Sequence, residues 1–500
     1  MKHPARFART LKEKRRYALL LAMLLVVAVG VLLLTKLPRN GEPAPAPKLQ
    51  FWGAARRVGG SCLIVENAGE RFIIDCGALG ETEGGALPPR PDSLSFAILT
   101  HAHIDHCGLL AELVKAGFRG PIYCTGPTAR LAPIMLAMER GISREKMPRE
   151  VFDRALAALT PVPYGQMFGE KHMAFRLRRA EHLLGAASVE MWLPSGRDTV
   201  KLVVSGDLGS GNAVLIPPRE TLESADYVVI ESTYGNVVRG SHGDSLDTYG
   251  AFADTVGAAL RRGGDVLVAS FTLGRTQEIL AVIDRFQRTG VIPADADVFV
   301  DSPTAQKITD VYRAERGELS DWARSFYPGD VLRFPTLREV RSRTSLKVHS
   351  CRHRPTIFVS SSGDLSNASS PRHLMRMFAS QRNLLCITGW QSPGSLGERL
   401  LAGQSPVAVR HQEGRRFRED WMTPVLEIRG FRSFSGHADQ TGLLAWLKPI
   451  RGVQEVFIVH GEEDQAEALG RAVGELLALE VEVPHRGESF EIPAVKRGPR

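Results

Sequence analysis

Short apolar runs broken by glycine and polar turns set the rhythm of residues 50–233. Residues 61–65 and 72–75, rich in Ile, Val or Leu, read as a strand pair. The run Ser95-Phe96-Ala97-Ile98-Leu99-Thr100 reads as a buried strand, and residues 107–116 as a helix closed by Gly117. Two further strands, 201–205 and 227–230, end at acidic residues, Asp207 and Glu231. Between about 234 and 430 the pattern changes. Helical stretches at 247–262 and 274–288 alternate with apolar runs at 266–271, 298–300, 357–360 and 384–388. Strand–helix alternation of this kind predicts a doubly wound, parallel α/β domain. After 432 the first pattern resumes, with a helix near 440–447, a strand at 456–459 and a helix near 464–479. The expected organisation is one unit in two parts, 50–235 and 432–493, with a second domain, 236–431, inserted between them.

The N-terminus follows a different pattern. Residues 17–35 form a charge-free apolar run of nineteen residues, long enough to span a bilayer as a helix. Residues 1–16 are a basic tail with seven Lys/Arg and one Glu, whereas only Lys36, Arg39 and Lys48 follow the run closely. The positive-inside rule then predicts a single-pass anchor with the body on the non-cytoplasmic side. A cleaved signal peptide is the runner-up, although its apolar core is normally shorter. Residues 36–49 include a Pro/Ala-rich stretch expected to act as a semi-rigid linker. The tail accounts for +6 of the net charge of +8, so the body is close to neutral and overall basicity is no argument for nucleic-acid binding. Six cysteines, Cys62, Cys76, Cys107, Cys124, Cys351 and Cys386, form no CxxC pair and read as buried free thiols. Free thiols suit a cytoplasmic location, against the orientation of the anchor.

Candidate chemistry concentrates at predicted strand ends. His101-Ala102-His103-Ile104-Asp105-His106 places four ligand-type side chains in six residues directly after an apolar strand. Imidazole and carboxylate together suit zinc and related ions. His182, Asp207, His437 and His460 each stand beside small residues at similar places. Singly, each reads as a turn or cap residue; as a set with the hexapeptide they supply the ligands of a two-metal site.

These residues resemble a known family. The hexapeptide, Asp75, His182 and Asp207 look like the motifs of the metallo-β-lactamase fold. Glu231-Ser232-Thr233-Tyr234-Gly235, Ser435-Gly436-His437-Ala438-Asp439 and Val459-His460-Gly461-Glu462 resemble the additional motifs of its β-CASP branch of nucleases. The inserted segment carries further matches at 270–278, 301–303 and 389–397. The resemblance implies an αββα metallo-β-lactamase sandwich with an inserted β-CASP domain. It also implies two zinc ions, or manganese in the same ligands. His101, His103 and His182 would hold one ion, Asp105, His106 and His460 the other, and Asp207 both. Asp75 would orient this centre. His437 would act as general acid with Glu231 behind it, and Arg275, Ser302, Gln391 and Ser395 would touch substrate.

A histidine in the last motif leans toward RNA. The cationic stretch 333–354, with seven Lys/Arg and Glu339 as its one acid, reads equally as a phosphate track or a solvated loop. Two positions depart from the family pattern. Ser362-Gly363-Asp364-Leu365-Ser366-Asn367-Ala368-Ser369 lacks the paired glycines and arginine usual there, and Glu181 replaces a glycine before His182. The leading expectation is a membrane-anchored dinuclear phosphodiesterase that cleaves single-stranded RNA, endonucleolytically or from the 5′ end. The alternatives are a metallo-hydrolase of another phosphorylated or ester compound of the cell envelope, and a non-catalytic membrane scaffold that binds RNA or protein. A homodimer is left open.

Overall fold

The computed structural model describes residues 44–79, 87–142, 147–238, 249–339, 354–366, 369–413 and 416–494. The basic tail, the expected membrane helix at 17–35, Cys351 and most of the cationic stretch 333–354 lie outside these residues. Among the described residues no helix is long and apolar enough to cross a membrane.

Two seven-stranded sheets form the first unit. One runs in the order Ser489–Glu491, Lys48–Phe51, Leu63–Asn67, Glu70–Ile74, Ala97–Ile98, Ile122–Cys124, Leu159–Pro161. The other runs Glu480–Glu482, Glu455–Val459, Tyr227–Glu231, Asp198–Val204, Ala187–Ser195, Met173–Arg179, Met167–Glu170. Their facing sides share a buried core that includes Phe51, Phe72, Phe96, Phe175, Met191, Val229 and Phe457. Phe72 and Phe96 stack at 4.4 Å between centroids. Both parts of the split unit are needed to complete these sheets. Glu455–Val459 pairs parallel with Tyr227–Glu231, and Ser489–Glu491 pairs antiparallel with Lys48–Phe51.

Several strands that end near one another run parallel. Glu70–Ile74 pairs parallel with Ala97–Ile98, and Asp198–Val204 with Tyr227–Glu231, which pairs parallel with Glu455–Val459. Parallel neighbours deliver their C-terminal ends to the same edge, so Asp75, the hexapeptide, Asp207, Glu231 and His460 emerge together.

The inserted domain holds a six-stranded sheet in the order Leu337–Glu339, Val298–Asp301, Ile357–Ser360, Val266–Ala269, Leu384–Ile387, Glu427–Gly430. Every neighbouring pair in it is parallel, as the strand–helix alternation predicts. A separate hairpin, Val407–Glu413 with Arg416–Met422, extends this domain.

The structure differs from the sequence reading in three places. The linker ends earlier than 49: Ala44 bridges Gly196, and Lys48 already pairs with Glu66, because Leu49 is fully buried between the sheets. The expected helix at 107–116 is instead two pieces, Ile104–Cys107 and Leu110–Lys115. The chain bends between them where Leu109 N donates to Cys76 O at 2.9 Å, while Cys76 N donates to His106 O at 2.8 Å. These bonds pin the ligand turn to the end of the strand Glu70–Ile74. The strands Met173–Arg179 and Ala187–Ser195 and the helix Gly126–Ile142, which contains Pro133, were not singled out by the apolar pattern.

Candidate dinuclear metal centre and proton donor

Asp75 and His460, at the ends of their strands, have φ of 63° and 51°. This left-handed conformation costs a side-chain-bearing residue roughly 1 kcal/mol or more, and here it turns an Asp and a His toward the shared edge. Close backbone approach matters equally: a Cβ on Gly77 would stand 1.6 Å from Asp105 O, so only glycine lets the hexapeptide lie against this strand end.

Among the described residues two groups of candidate ligand atoms result, and Glu231 and His437 form a third with Asp207. In the first, His103 Nδ1 lies 3.2 Å from His101 Nε2 and 3.0 Å from His182 Nε2, and both Nε2 atoms lie 3.5 Å from Asp207 Oδ2. Ligands about 2.0–2.1 Å from a tetrahedral ion are spaced roughly 3.4 Å apart, which matches these separations. In the second, His106 Nε2 lies 3.2 Å from His460 Nε2 and 3.2 Å from Asp207 Oδ1, and His460 Nε2 lies 3.3 Å from Asp105 Oδ2. Both Asp207 carboxylate oxygens are buried without a hydrogen-bond partner. A buried carboxylate without donors, flanked by imidazole nitrogens, fits a pair of divalent cations bridged by Asp207.

The outward nitrogens fix the ring tautomers. His106 Nδ1–H donates to Asp75 Oδ2 at 2.7 Å, and His182 Nδ1–H to Gly436 O at 2.7 Å. His101 Nδ1 meets Thr100 Oγ1 at 3.1 Å, and that hydroxyl donates to Asp75 Oδ2 at 2.8 Å. His460 Nδ1 meets Thr233 Oγ1 at 3.1 Å. His103 is held the other way round, with Nε2 facing Leu273 O of the inserted domain at 3.4 Å. In the neutral form of each ring the second nitrogen therefore presents its lone pair to the centre. Burial holds the pKa values of His101, His103 and His182 below the usual range, which favours neutral ligands. Burial also opposes the charged forms of His106 and His460. Asp207, helped by Asp75 or Asp105, outweighs it, lifting His106 well above the ordinary value and His460 to about 8.

His437 stands beside this cluster with its side chain 18% exposed. Its Nδ1 lies 3.0 and 3.2 Å from the two Glu231 oxygens. Glu231 is held in turn, accepting from Leu208 N at 2.6 Å and Thr233 N at 3.3 Å. Burial disfavours the His437 cation, but the Glu231 and Asp207 carboxylates prevail and raise its pKa above that of free histidine. A histidine poised to carry a proton thus borders the metal cradle.

Three of the four expected substrate contacts engage local backbone. Ser302 caps the helix Pro303–Ala314, accepting from Ala305 N at 3.3 Å, and Ser395 caps Leu396–Leu401, accepting from Glu398 N at 3.2 Å. Gln391 spends its amide on the carbonyls of Gly363, Gly389 and Trp390. Each thus holds local backbone, and Ser-Pro and Ser-x-x-Glu are in themselves helix-start signals. Arg275 is buried, lining a cavity with His103, His182 and Glu278 and lying close behind Gly436. Thr100 and Thr233, given no role from sequence, hold two of the ligand rings. Glu181 adopts φ of 65°, which explains the usual glycine, and its carboxylate turns toward Arg219 at 3.8 Å.

Glu278 ties the inserted domain to the first unit. From the first turn of the helix Arg275–Arg288 its carboxylate accepts from Val214 N and, at 3.2 Å, from Leu215 N. Burial pushes its pKa from 4.5 up to about 7, despite those donors and Arg275. A carboxyl whose folded pKa is raised favours the folded chain most below its unfolded pKa, and loses that contribution as pH rises through the folded one. Between pH 4.5 and 7 this is worth up to roughly 3 kcal/mol. Glu278→Gln is expected to flatten the stability curve across that window. Urea midpoints at pH 5 and 7.5 measure it, and a pH difference equal to wild type would remove Glu278 as the source.

Comparison with known proteins agrees with this architecture. Residues 55–209 match the metallo-beta-lactamase superfamily, 276–400 the Beta-Casp domain, and 425–484 the Zn-dependent metallo-hydrolase RNA specificity domain. The chain is 31% identical over 450 residues to Ribonuclease TTHA0252 of Thermus thermophilus, covering 88% of this chain and 99% of that one. It is 28% identical to the Transcription termination factor FttA of Methanocaldococcus jannaschii, covering 89% and 72%. An RNase J-like protein of the same archaeon is 26% identical, covering 89% and 99%. Among solved structures, a protein of unknown function from Enterococcus faecalis V583 shares the fold with a TM-score of 0.53 at 13% identity, covering 89% of this chain and 99% of that one.

Proposed function

The chain belongs to the β-CASP branch of the metallo-β-lactamase superfamily and is a metal-dependent hydrolase of its nuclease type; from that premise we propose that it cleaves single-stranded RNA using two divalent cations, zinc or alternatively manganese. The observation that carries the reading is the His437–Glu231 pair beside the two-part cradle around Asp207. Binding alone needs no such proton donor. His101, His103 and His182 would hold one cation, Asp105, His106 and His460 the second, and Asp207 both. Cations bound there would offset phosphate charge and acidify water enough to attack phosphorus at neutral pH. Asp75, Thr100 and Thr233 keep the ligand nitrogens aimed. Because Nδ1 of His437 is committed to Glu231, Nε2 is the atom that gives a proton to the leaving oxygen. The match to an RNA specificity domain over 425–484, which contains His460, and the ribonuclease relatives support RNA as substrate.

The purified chain, supplied with zinc and a labelled single-stranded RNA, tests this reading beside a His437→Ala control. Cleavage that disappears in the control supports it. Turnover of simple esters without RNA cleavage would favour an envelope metallo-hydrolase. That reading draws on Asp364, a negative charge in a loop without the paired glycines and arginine of the family pattern. Tight RNA binding with no turnover would mark a scaffold.

Residues 17–35 would anchor the enzyme, with its catalytic part outside the cytoplasm as the flanking charges direct. The described thiols, Cys62, Cys76, Cys107, Cys124 and Cys386, are buried and form no disulfide, so they fit the cytoplasmic side as well. A C-terminal reporter that works only in the cytoplasm is expected to stay silent; signal from it would reverse the orientation.

A further inference from the structure

Among the described residues three aromatic side chains are exposed, Phe271, Phe417 and Trp421, and the last two belong to the hairpin that extends the inserted domain. Phe271 stands elsewhere. It follows the strand Val266–Ala269, which lies in the sheet between Ile357–Ser360 and Leu384–Ile387. Ligands of open α/β sheets bind outside the carboxyl ends of the strands. Each neighbouring strand is followed by a glycine, Gly363 on one side and Gly389 on the other. A Cβ on either would stand 2.9 Å from the Phe271 ring. A side chain at these positions would push the ring aside, whereas the two glycines seat its Cδ2–Cε2 edge and leave the residue 38% exposed. Gln391 ties the two glycine turns together, donating to both carbonyls at 3.2 Å.

The backbone under the ring is fixed. Phe271 O accepts from Thr276 Oγ1 at 2.8 Å and from Thr276 N at 3.2 Å, and Thr272 Oγ1 meets Ser361 Oγ at 2.9 Å. An aromatic ring on a rigid support loses little freedom when a ligand covers it. Two residues further on, Leu273 O faces His103 Nε2 of the candidate metal centre at 3.4 Å. Two residues of chain span at most about 7 Å. Phe271 is therefore placed for a nucleotide beside the one whose phosphate would meet that centre. The body of the chain is close to neutral, so contact with the flat faces of bases would add affinity that charge does not supply. On the premise that the chain cleaves RNA, we propose that Phe271 is a stacking platform for a base of the substrate strand next to the cleaved bond. An aromatic face reads no base edge, so the platform accepts any base.

Full-length wild type and Phe271→Ala, each with zinc, are given a labelled single-stranded RNA and, in parallel, copies with an abasic residue at each nucleotide flanking the cleaved bond. Phe271→Ala is expected to lower kcat/KM on intact RNA by about 5–150-fold, chiefly through KM, as loss of one base–aromatic stack does. One abasic position should cost wild type a similar factor and cost Phe271→Ala no more than about twofold, because the partner of that base is already gone. Phe271→Tyr, which keeps the aromatic face, should stay within about threefold of wild type. Methyl nitrophenyl phosphate, a diester without nucleobases, should be hydrolysed equally by wild type and Phe271→Ala, the sign of an intact fold and metal centre. Equal rates of the two chains on intact RNA, or the same abasic penalty in both, would overturn the proposal and leave the RNA reading standing. A loss on the small diester as large as that on RNA would also overturn it, by marking Phe271 as a structural residue. Hydrolysis of the small diester by wild type without cleavage of RNA would sink the RNA reading, and the platform with it.

Discussion

A chain carrying Asp207→Asn is expected to fold, to hold well under one cation in place of two, and to lose RNA cleavage by about 10³-fold or more, the equivalent of roughly 4 kcal/mol in the barrier. His101 and His182 approach one oxygen of this carboxylate and His106 the other, and neither oxygen has a hydrogen-bond partner. Asparagine offers one neutral acceptor where two charged ones stood, so neither group keeps its shared ligand. Thermal unfolding gives a second measurement. Cations that bind only the folded chain stabilise it by mass action, about 2.7 kcal/mol at a hundred times the dissociation constant. Chelation should therefore lower the wild-type midpoint by roughly 5 °C or more. The Asn variant should be indifferent to chelator. Elemental analysis showing two cations still bound in Asp207→Asn would refute the bridging role.

His437→Ala separates proton transfer from cation binding. His437 contacts Glu231 rather than filling the cradle, so cation content should stay at the wild-type level while cleavage falls by about 10²–10⁴-fold. The leaving group then discriminates between a proton donor and a merely structural residue. A nitrophenyl phosphodiester expels an anion that needs no proton, so on it the variant should lose less than about tenfold. An equal loss on both substrates would mean that His437 supports the site without donating a proton. Glu231→Gln should fall between wild type and His437→Ala, because one amide oxygen must replace two that now serve Leu208 N, Thr233 N and His437.

The candidate ligands were legible because only a few side-chain types suit such ions, and six of the seven followed a predicted strand. The alternation over 234–430 likewise predicted a parallel sheet, because buried parallel strands must be apolar and their crossovers helical. Other features gave no such signal. Leu273 and Gly436 act through backbone carbonyls, which every residue has. Thr100 and Thr233 act through hydroxyls whose use depends on where the rings fall. Ser302, Ser395 and Gln391 read as substrate contacts because they lie in motif-like loops; in the fold the two serine hydroxyls cap helices and the Gln391 amide nitrogen closes a loop, while its Oε1 has no hydrogen-bond partner. The strand Met173–Arg179 alternates Met173, Phe175 and Leu177 with half-buried arginines, but its arginine-rich outer face obscured that pattern in the sequence.

Residue type and order alone determined the class of chemistry here: imidazoles and carboxylates at the ends of apolar strands, split by an inserted α/β domain. Only the tertiary structure decided how they act together, since His106 and His460 are 354 positions apart in the chain and 3.2 Å apart in the fold. The parallel pairing of Tyr227–Glu231 with Glu455–Val459 brings them to one edge. Hydrogen bonds to Asp75, Thr100, Thr233, Leu273 and Gly436 then settle which nitrogen of each ring faces inward. Ligand identity is a property of side chains, whereas ligand geometry belongs to the backbone that carries them.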